Sequence, residues 1–270
     1  MKLLFSEHKS DYPNYIFPYA IWAFPEPGET PAQLFASGFL PASRELDRFY
    51  MCRHIRIDLQ RFKPSSENRR ILRKGEGVTH SLVKRDAFDY SKERKAFYKN
   101  YADIKFGKDV MTFGRLDSLF NSPITSHVLV YRDEAADREI GSVTLFLQPP
   151  GFAYYYYSFY DLNYYARNLG MFMMTSAVQY FAEHCCRYIY LGSCYSRNAL
   201  YKTQFSGAEF FNGYRWSQDL DELKYLIRRD SRSVSHHLLE TEDYHKKFSE
   251  GGLDSLPSKT LFSMRVKTEV

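Results

Sequence analysis

The residues best suited to chemistry lie between Asp161 and Lys202. Asp161 follows an aromatic run, Tyr154 to Tyr160, at a point where a carboxylate could bind an ammonium group and orient an attacking amine. Tyr201 and Lys202 could stabilise a developing negative charge or pair with phosphate groups. The structural alternatives are a turn cap for Asp161 and a helix face covering a sheet for the other two.

One continuous series of elements positions these residues. The aromatic run predicts a strand, Met171 to His184 predicts a helix, and Tyr188 to Leu191 predicts a second strand. The turn before the helix carries Arg167, a side-chain donor, and Gly170, which permits close approach. Free N–H groups at a helix start bind phosphate or carboxylate. A strand, an anion-binding turn, a helix and a strand form the core of the GNAT N-acyltransferase fold, so we expect a mixed α/β (α+β) protein.

Three tyrosines are expected to line the cleft that such strands enclose, namely Tyr156, Tyr160 and Tyr195. A tyrosine combines an apolar ring with a polar hydroxyl, and the chain contains 23 of them. The aromatic run as a whole is more typical of a core and a cleft wall than of a platform for stacking bases.

A basic helix is predicted in the first half of the chain, from Pro64 to Lys74, with Ser65 as a possible N-cap. Its cationic side chains recur at three- and four-residue spacing, which places them on one face; they are Arg69, Arg70, Arg73 and Lys74. This face is suited to phosphate groups of a nucleic acid. The alternative is an ordinary solvated face.

Composition places the chain among globular proteins. Of its 270 residues, 44% are hydrophobic and 26% are charged, and the formal net charge is +5. No apolar run is long enough to span a membrane, and no secretory signal is visible. The four cysteines form no disulfide or metal-binding pattern, so we expect a cytoplasmic protein with no metal site.

The remaining pattern predicts three domains. They are an α+β domain at 1–120, a catalytic GNAT-like domain at 121–218, and a helix with a polar tail at 219–270. Residues 1–47 are rich in Pro and Gly, which predicts extended and looping structure with one short helix at 31–37. The other predicted elements are strands at 49–59, 127–132, 139–147, 208–211 and 214–216, and helices at 91–105, 108–120 and 219–229. The dipeptide Asn212-Gly213 indicates a hairpin, and the chain after about 231 is expected to be loosely attached.

An ordered set of short motifs resembles the arginyl- and leucyl-tRNA–protein transferases. These motifs are residues 62–70 (F-K-P-S-S-E-N-R-R), 158–161 (S-F-Y-D), 167–170 (R-N-L-G), 188–192 (Y-I-Y-L-G) and 201–205 (Y-K-T-Q-F). The resemblance covers about 38–216, and the set is far more specific than any one motif. It implies a GNAT-type C-terminal half, aminoacyl-tRNA as the acyl donor, a protein N-terminus as the acceptor, and no separate cofactor.

The chain departs from the family pattern in ways that leave other functions open. The family's N-terminal cysteine cluster is reduced to Cys52, and the stretch from Gly192 to Tyr201 is two residues shorter. One alternative is an N-acyltransferase that uses acetyl-CoA, against which stands Phe172, a bulky residue expected where a pyrophosphate would pass. The other is a catalytically idle relative that binds RNA or protein.

Overall fold

The computed structural model of the protein describes residues 1–184, 186–249 and 253–263. The side chains of Tyr165, Arg167 and Leu253 lie outside this description.

Strands and helices alternate along the described chain. The strands are β1 (Lys2–Glu7), β2 (Tyr19–Phe24), β3 (Phe39–Pro41), β4 (Phe49–Met51), β5 (His54–Asp58), β6 (Val78–Lys84), β7 (His127–Asp133), β8 (Arg138–Gln148), β9 (Phe152–Tyr160), β10 (Tyr188–Ser193), β11 (Ala208–Phe211) and β12 (Trp216–Ser217). The α-helices are α1 (Pro31–Ala36), α2 (Ser66–Lys74), α3 (Lys92–Phe106), α4 (Phe113–Asn121), α5 (Leu169–Glu183), α6 (Leu220–Asp230) and α7 (Glu242–Phe248). Two 3₁₀ segments border the site, Leu162–Arg167 before α5 and Arg197–Thr203 after β10.

An eight-stranded sheet is the centre of the structure, in the order β12-β11-β5-β10-β9-β8-β7-β6. Its neighbouring strands are antiparallel except for β9 and β10, which are parallel. A smaller antiparallel sheet has the order β1-β2-β4-β3. The large sheet includes β5 and β6, which belong to the first of the three predicted domains, so hydrogen bonds join that part of the chain to the predicted catalytic domain. The domain division itself stays a prediction.

The two faces of the large sheet bury separate apolar clusters. Tyr155 belongs to the cluster under α5, whereas Tyr154 belongs to the cluster under α3 and α4. Successive side chains of a strand point to opposite faces, so β9 contributes to both clusters. α5 packs against β9 and α2, and α3 packs against β9 and α4. β9 therefore lies between the helices that shape the site.

The α/β class and the principal elements confirm the sequence prediction. The strand at 152–160, the helix that follows it and the strand at 188–193 are all present. The helix α2 begins where predicted, because the Ser65 hydroxyl accepts a hydrogen bond from the Asn68 backbone N–H at 3.1 Å. The hairpin at Asn212-Gly213 joins β11 to β12.

The outlying segments are more regular than the sequence predicts. Residues 1–47, expected to be extended and looping with one short helix, form β1, β2 and β3 as well as α1. β6 was not predicted, although its alternating exposure is typical of an edge strand. The chain after 231 is not loosely attached, because Tyr244 of α7 is fully buried.

Candidate active site

β9 and β10 separate beyond their first paired residues. Their last paired residues are Tyr154 and Tyr190, although both strands continue. Each strand has a bulge near this point: Tyr156 is the extra residue opposite β8, and Leu191 is the extra residue opposite β5. A bulge bends a strand and re-aims the side chains that follow. The two strands therefore diverge and leave a cleft at their carboxyl ends.

This cleft lies where the first turn of α5 faces the aromatic strand. It encloses about 380 Å³ and is lined by Tyr101, Tyr155, Ser158, Tyr160, Asn168, Leu169, Gly170, Met171, Met174 and Tyr201. Because the bulge at Tyr156 adds one residue, Tyr155, Ser158 and Tyr160 all face the cleft although their numbers do not alternate evenly. The lining is mainly aromatic and aliphatic, with hydroxyl groups at intervals.

The turn that starts α5 is fixed by close contacts. Asn168 has a left-handed backbone (φ 58°), and its carbonyl accepts hydrogen bonds from the N–H groups of Met171 and Phe172, each at 3.0 Å. The hydroxyl and ring of Tyr160 lie 2.8 Å from the position that a Cβ atom on Gly170 would occupy. Only glycine allows that approach. The predicted role of Arg167 rests on a side chain outside the described part of the structure.

Phenol groups converge on the cleft. The rings of Tyr101 and Tyr160 lie 4.8 Å apart, centroid to centroid. Burial raises the pKa of Tyr101 and of Tyr201, and the neighbouring Tyr160 raises both further. Both phenols therefore keep their protons at neutral pH and act as O–H donors, which suits them to stabilise an oxyanion. Sequence reasoning missed Tyr101, because it comes from α3 and only tertiary packing brings it to β9.

Lys202 lies beside the cleft and does not line it. Its Nζ donates a hydrogen bond to the Ser193 carbonyl at 2.8 Å, at the end of β10. Burial lowers the pKa of this lysine, and the nearby sulfur atoms of Cys194 and Cys52 oppose that shift. Tyr201, its neighbour in the chain, does line the cleft.

Asp161 closes β9, and the turn that follows engages its carboxylate. One oxygen lies 2.6 Å from an Arg138 guanidinium nitrogen, and the other accepts from the Asn163 backbone N–H at 2.9 Å. Burial acts to raise the pKa of Asp161, but the Asn163 N–H and Arg138 outweigh it, so the pKa lies below its ordinary value. Asp161 is not among the residues that line the cleft.

The other predicted site residues are distributed over both faces of the sheet. Tyr156 lies on the face opposite α5, with its ring 5.2 Å from that of Tyr154. The Tyr195 hydroxyl accepts a hydrogen bond from the Arg53 backbone N–H at 2.8 Å. Of the predicted cleft-lining tyrosines, Tyr160 lines the cleft described above.

The cationic side chains of α2 are all exposed; they are Arg69, Arg70, Arg73 and Lys74. Arg70 is bound locally by Glu67, with its Nε 2.7 Å from the carboxylate. Arg69 donates to the Pro64 carbonyl at 2.6 Å. The four cations thus share an accessible helix whose buried side packs on α5.

The expectation that Phe172 obstructs the cleft is wrong. Its side chain is 5% exposed and points into the core. The ring lies 2.0 Å from the position of a Cβ atom on Gly75, at the end of α2, and 6.1 Å from the ring of Tyr131. The objection to CoA binding that was based on Phe172 therefore does not hold.

No group of three or more His, Cys, Asp or Glu side chains in the described residues is arranged to hold a metal ion. Within the same residues, no helix is both long and apolar enough to cross a membrane.

Comparison with known proteins finds relatives for most of the chain. No protein-family model matches it. The aspartate/glutamate leucyltransferase of Dinoroseobacter shibae is 26% identical over 226 residues, which cover 77% of this chain and 74% of that protein. Its counterpart from Ruegeria pomeroyi is 28% identical over 178 residues, 63% of each chain. The chain is a divergent relative of the aspartate/glutamate leucyltransferases. A leucyl group is an acyl group, so the predicted resemblance and the acyltransferase class are confirmed.

Solved structures resemble the chain only distantly. The C-terminal domain of a putative lysylphosphatidylglycerol synthetase from Agrobacterium fabrum is 15% identical with a TM-score of 0.44, covering 53% of this chain and 46% of that one. L-PGS from Bacillus licheniformis is 13% identical with a TM-score of 0.43, covering 67% of this chain and 66% of that one.

Proposed function

We propose that this chain transfers an amino acid, leucine, from a charged tRNA to the N-terminal amine of an acceptor protein. The observation that carries the proposal is its similarity to an aspartate/glutamate leucyltransferase over 77% of its length. By the same similarity, the acceptor begins with aspartate or glutamate. The charged tRNA is already activated, so the reaction needs no further cofactor and takes place in the cytoplasm, where tRNA is charged.

The lining of the cleft supports leucine over arginine. Leu169, Met171 and Met174 offer an apolar wall to an aliphatic side chain. No carboxylate is present among the described lining residues, so an arginyl guanidinium would lose its hydration without gaining a partner.

The reaction requires few catalytic groups because the ester of the charged tRNA is reactive. The amine nitrogen forms a bond to the ester carbonyl carbon, the bond to the terminal ribose oxygen breaks, and a proton passes from the amine to that oxygen. The hydroxyls of Tyr160, Tyr101 and Tyr201 are placed to donate to the oxyanion between these steps. Lys202 adds positive charge beside Tyr201, and Asp161 positions the turn that leads to α5.

The cationic face of α2 supports binding of the tRNA body. Arg69, Arg70, Arg73 and Lys74 are exposed on a helix that packs directly on α5, whose first turn borders the cleft. Arginine and lysine side chains bind phosphate groups and release counterions, which makes such binding weaken with salt.

The test is a transfer assay with the purified full chain. Radiolabelled Leu-tRNA or Arg-tRNA is supplied with amidated peptides that begin with Asp, Glu, Ala or Lys, and acetyl-CoA is supplied in parallel. We expect label from Leu-tRNA on the Asp and Glu peptides alone. Acetylation from acetyl-CoA, with no transfer from either tRNA, would instead identify an acyl-CoA-dependent enzyme. Binding of charged tRNA without transfer would identify an idle relative.

A further inference from the structure

A second cavity lies on the sheet face opposite the cleft. It encloses about 470 Å³ and is lined by Arg44, Phe106, Val110, Met111, Arg115 and Tyr157. Tyr157 belongs to β9, and it faces the apolar cluster under α3 and α4. β9 therefore has the cleft at the first turn of α5 on one face and this second cavity on the other.

The charge of the second cavity is uncompensated. Two of its lining residues are arginines, and no acidic residue is among them. The Arg115 guanidinium donates to the Val110 carbonyl at 2.5 Å, and neither arginine forms an ion pair with any described residue. Arginines elsewhere in the protein, such as Arg56 of β5 and Arg94 of α3, reach carboxylates at 2.8 Å. Two guanidinium groups without a carboxylate, at a pocket that is open to solvent, form a site for an anion.

The start of α4 adds positive potential beside the second cavity. Thr112 caps the helix by accepting from the Arg115 N–H at 3.3 Å, and Met111 and Arg115 border the cavity on either side of that cap. The first turn of a helix carries partial positive charge, which favours an anion nearby.

Contacts between aromatic rings connect the two cavities. Tyr101 lines the cleft at the first turn of α5. Its ring lies 6.0 Å from that of Phe106, which is the last residue of α3. Phe106 in turn lies 6.3 Å from Tyr157 across the second cavity. Arg44 also lies beside the phenol of Tyr156, two residues after Tyr154, the last residue of β9 that pairs with β10. A molecule held by Arg44 is thus close to the gap between the two strands.

We propose that Arg44 and Arg115 bind the side-chain carboxylate of the acceptor's N-terminal residue. This inference rests on the proposed function, because it supplies the acceptor's place in that reaction. The walls formed by Phe106, Val110 and Met111 favour a peptide over an RNA phosphate, because they offer apolar contact around the anion. A carboxylate held there places the attached amine toward the gap that opens onto the cleft.

The experiment measures binding and transfer separately. Amidated pentapeptides that begin with Asp or Asn, identical otherwise, are titrated into the full chain by calorimetry without tRNA. We expect saturable binding of the Asp peptide and binding weaker on the order of 10- to 100-fold for the Asn peptide, the range that loss of a charge-assisted hydrogen bond produces. Arg44→Gln and Arg115→Gln should each lower the affinity for the Asp peptide by at least about 10-fold and leave the affinity for the Asn peptide unchanged. Arg48→Gln, an exposed change in the same loop as Arg44, is the matched control.

Each result has one interpretation. Equal binding of the two peptides by the wild-type chain, or an unchanged Asp preference in the Arg44→Gln/Arg115→Gln double variant, overturns the carboxylate site. Selective binding that the double variant abolishes supports the site even if no Leu-tRNA transfer occurs, in which case the proposed function fails by itself. In the transfer assay, the double variant should raise KM for the Asp peptide and leave tRNA affinity unchanged.

Discussion

At the scale of single residues, the structure separates groups that line the cleft from groups that hold its walls. Tyr160 and Tyr201 present hydroxyls to the cleft, whereas both carboxylate oxygens of Asp161 are taken by Arg138 and the Asn163 N–H. A carboxylate whose two oxygens each already hold a partner in the protein is better suited to fixing a turn than to binding a substrate ammonium group. This distinction can be tested by a change that keeps the size of the side chain.

Asp161→Asn removes the charge that Arg138 pairs with and keeps an oxygen for the Asn163 N–H. If Asp161 positions the turn, the transfer rate should fall less than about 10-fold. The free energy of unfolding should fall by only about 1 kcal/mol, because the Arg138 side chain is 50% exposed. Arg138→Gln should reproduce both effects. A loss on the order of 100-fold in kcat by Asp161→Asn, with Arg138→Gln unchanged, would instead show direct contact with the reacting amine, the role expected from the sequence.

At the scale of elements, the sequence predicted what depends on local pattern and missed what depends on register. The Ser65 cap and the periodic cations identified α2, and the aromatic run identified β9. Alternation along β9 groups Tyr156 with Tyr160, but the bulge at Tyr156 reverses the faces of the residues that follow, so Tyr160 lines the cleft and Tyr156 does not. Phe172 was misplaced because α5 is buried on most of its circumference, so its sequence does not show which side meets the cleft.

The basic helix gives the prediction at this scale. Arg69→Ala with Arg70→Ala should weaken tRNA binding and reduce the salt slope by about one for each lost phosphate contact. Stability should hardly change, because both side chains are exposed and their partners, Pro64 and Glu67, lie in the same local segment. Filter binding at several salt concentrations measures the slope.

The matched control for this pair is Arg85→Ala with Arg132→Ala. Arg85 directly follows β6 and Arg132 lies on β7, and each pairs with a nearby carboxylate, as Arg70 does. The control should keep the wild-type slope. Equal salt slopes of tRNA binding for the two double variants would mean that the α2 cations form only a solvated face.

At the scale of the whole molecule, the C-terminal segment is joined to the edge of the large sheet through one buried carboxylate. Glu222 of α6 is fully buried and accepts hydrogen bonds from Asn212 at 2.9 Å, from Ser217 at 2.6 Å and from the Tyr244 hydroxyl at 2.6 Å. The polar sequence after 231 gave no periodic signal for this attachment, because Tyr244 is the only buried residue of α7.

Tyr244→Phe removes the hydroxyl and keeps the ring. It leaves a buried carboxylate with one donor fewer, so we expect the free energy of unfolding to fall by about 1–3 kcal/mol. Tyr244→Ala also leaves a cavity where the ring packs in the core, so the free energy of unfolding should fall by about 3–5 kcal/mol. Tyr12→Phe, at a ring that is 67% exposed, should have no measurable effect. Urea unfolding at equal protein concentration measures all three, and a Tyr244→Phe midpoint equal to that of Tyr12→Phe would mean that the segment after 231 is held only loosely, as its sequence suggests.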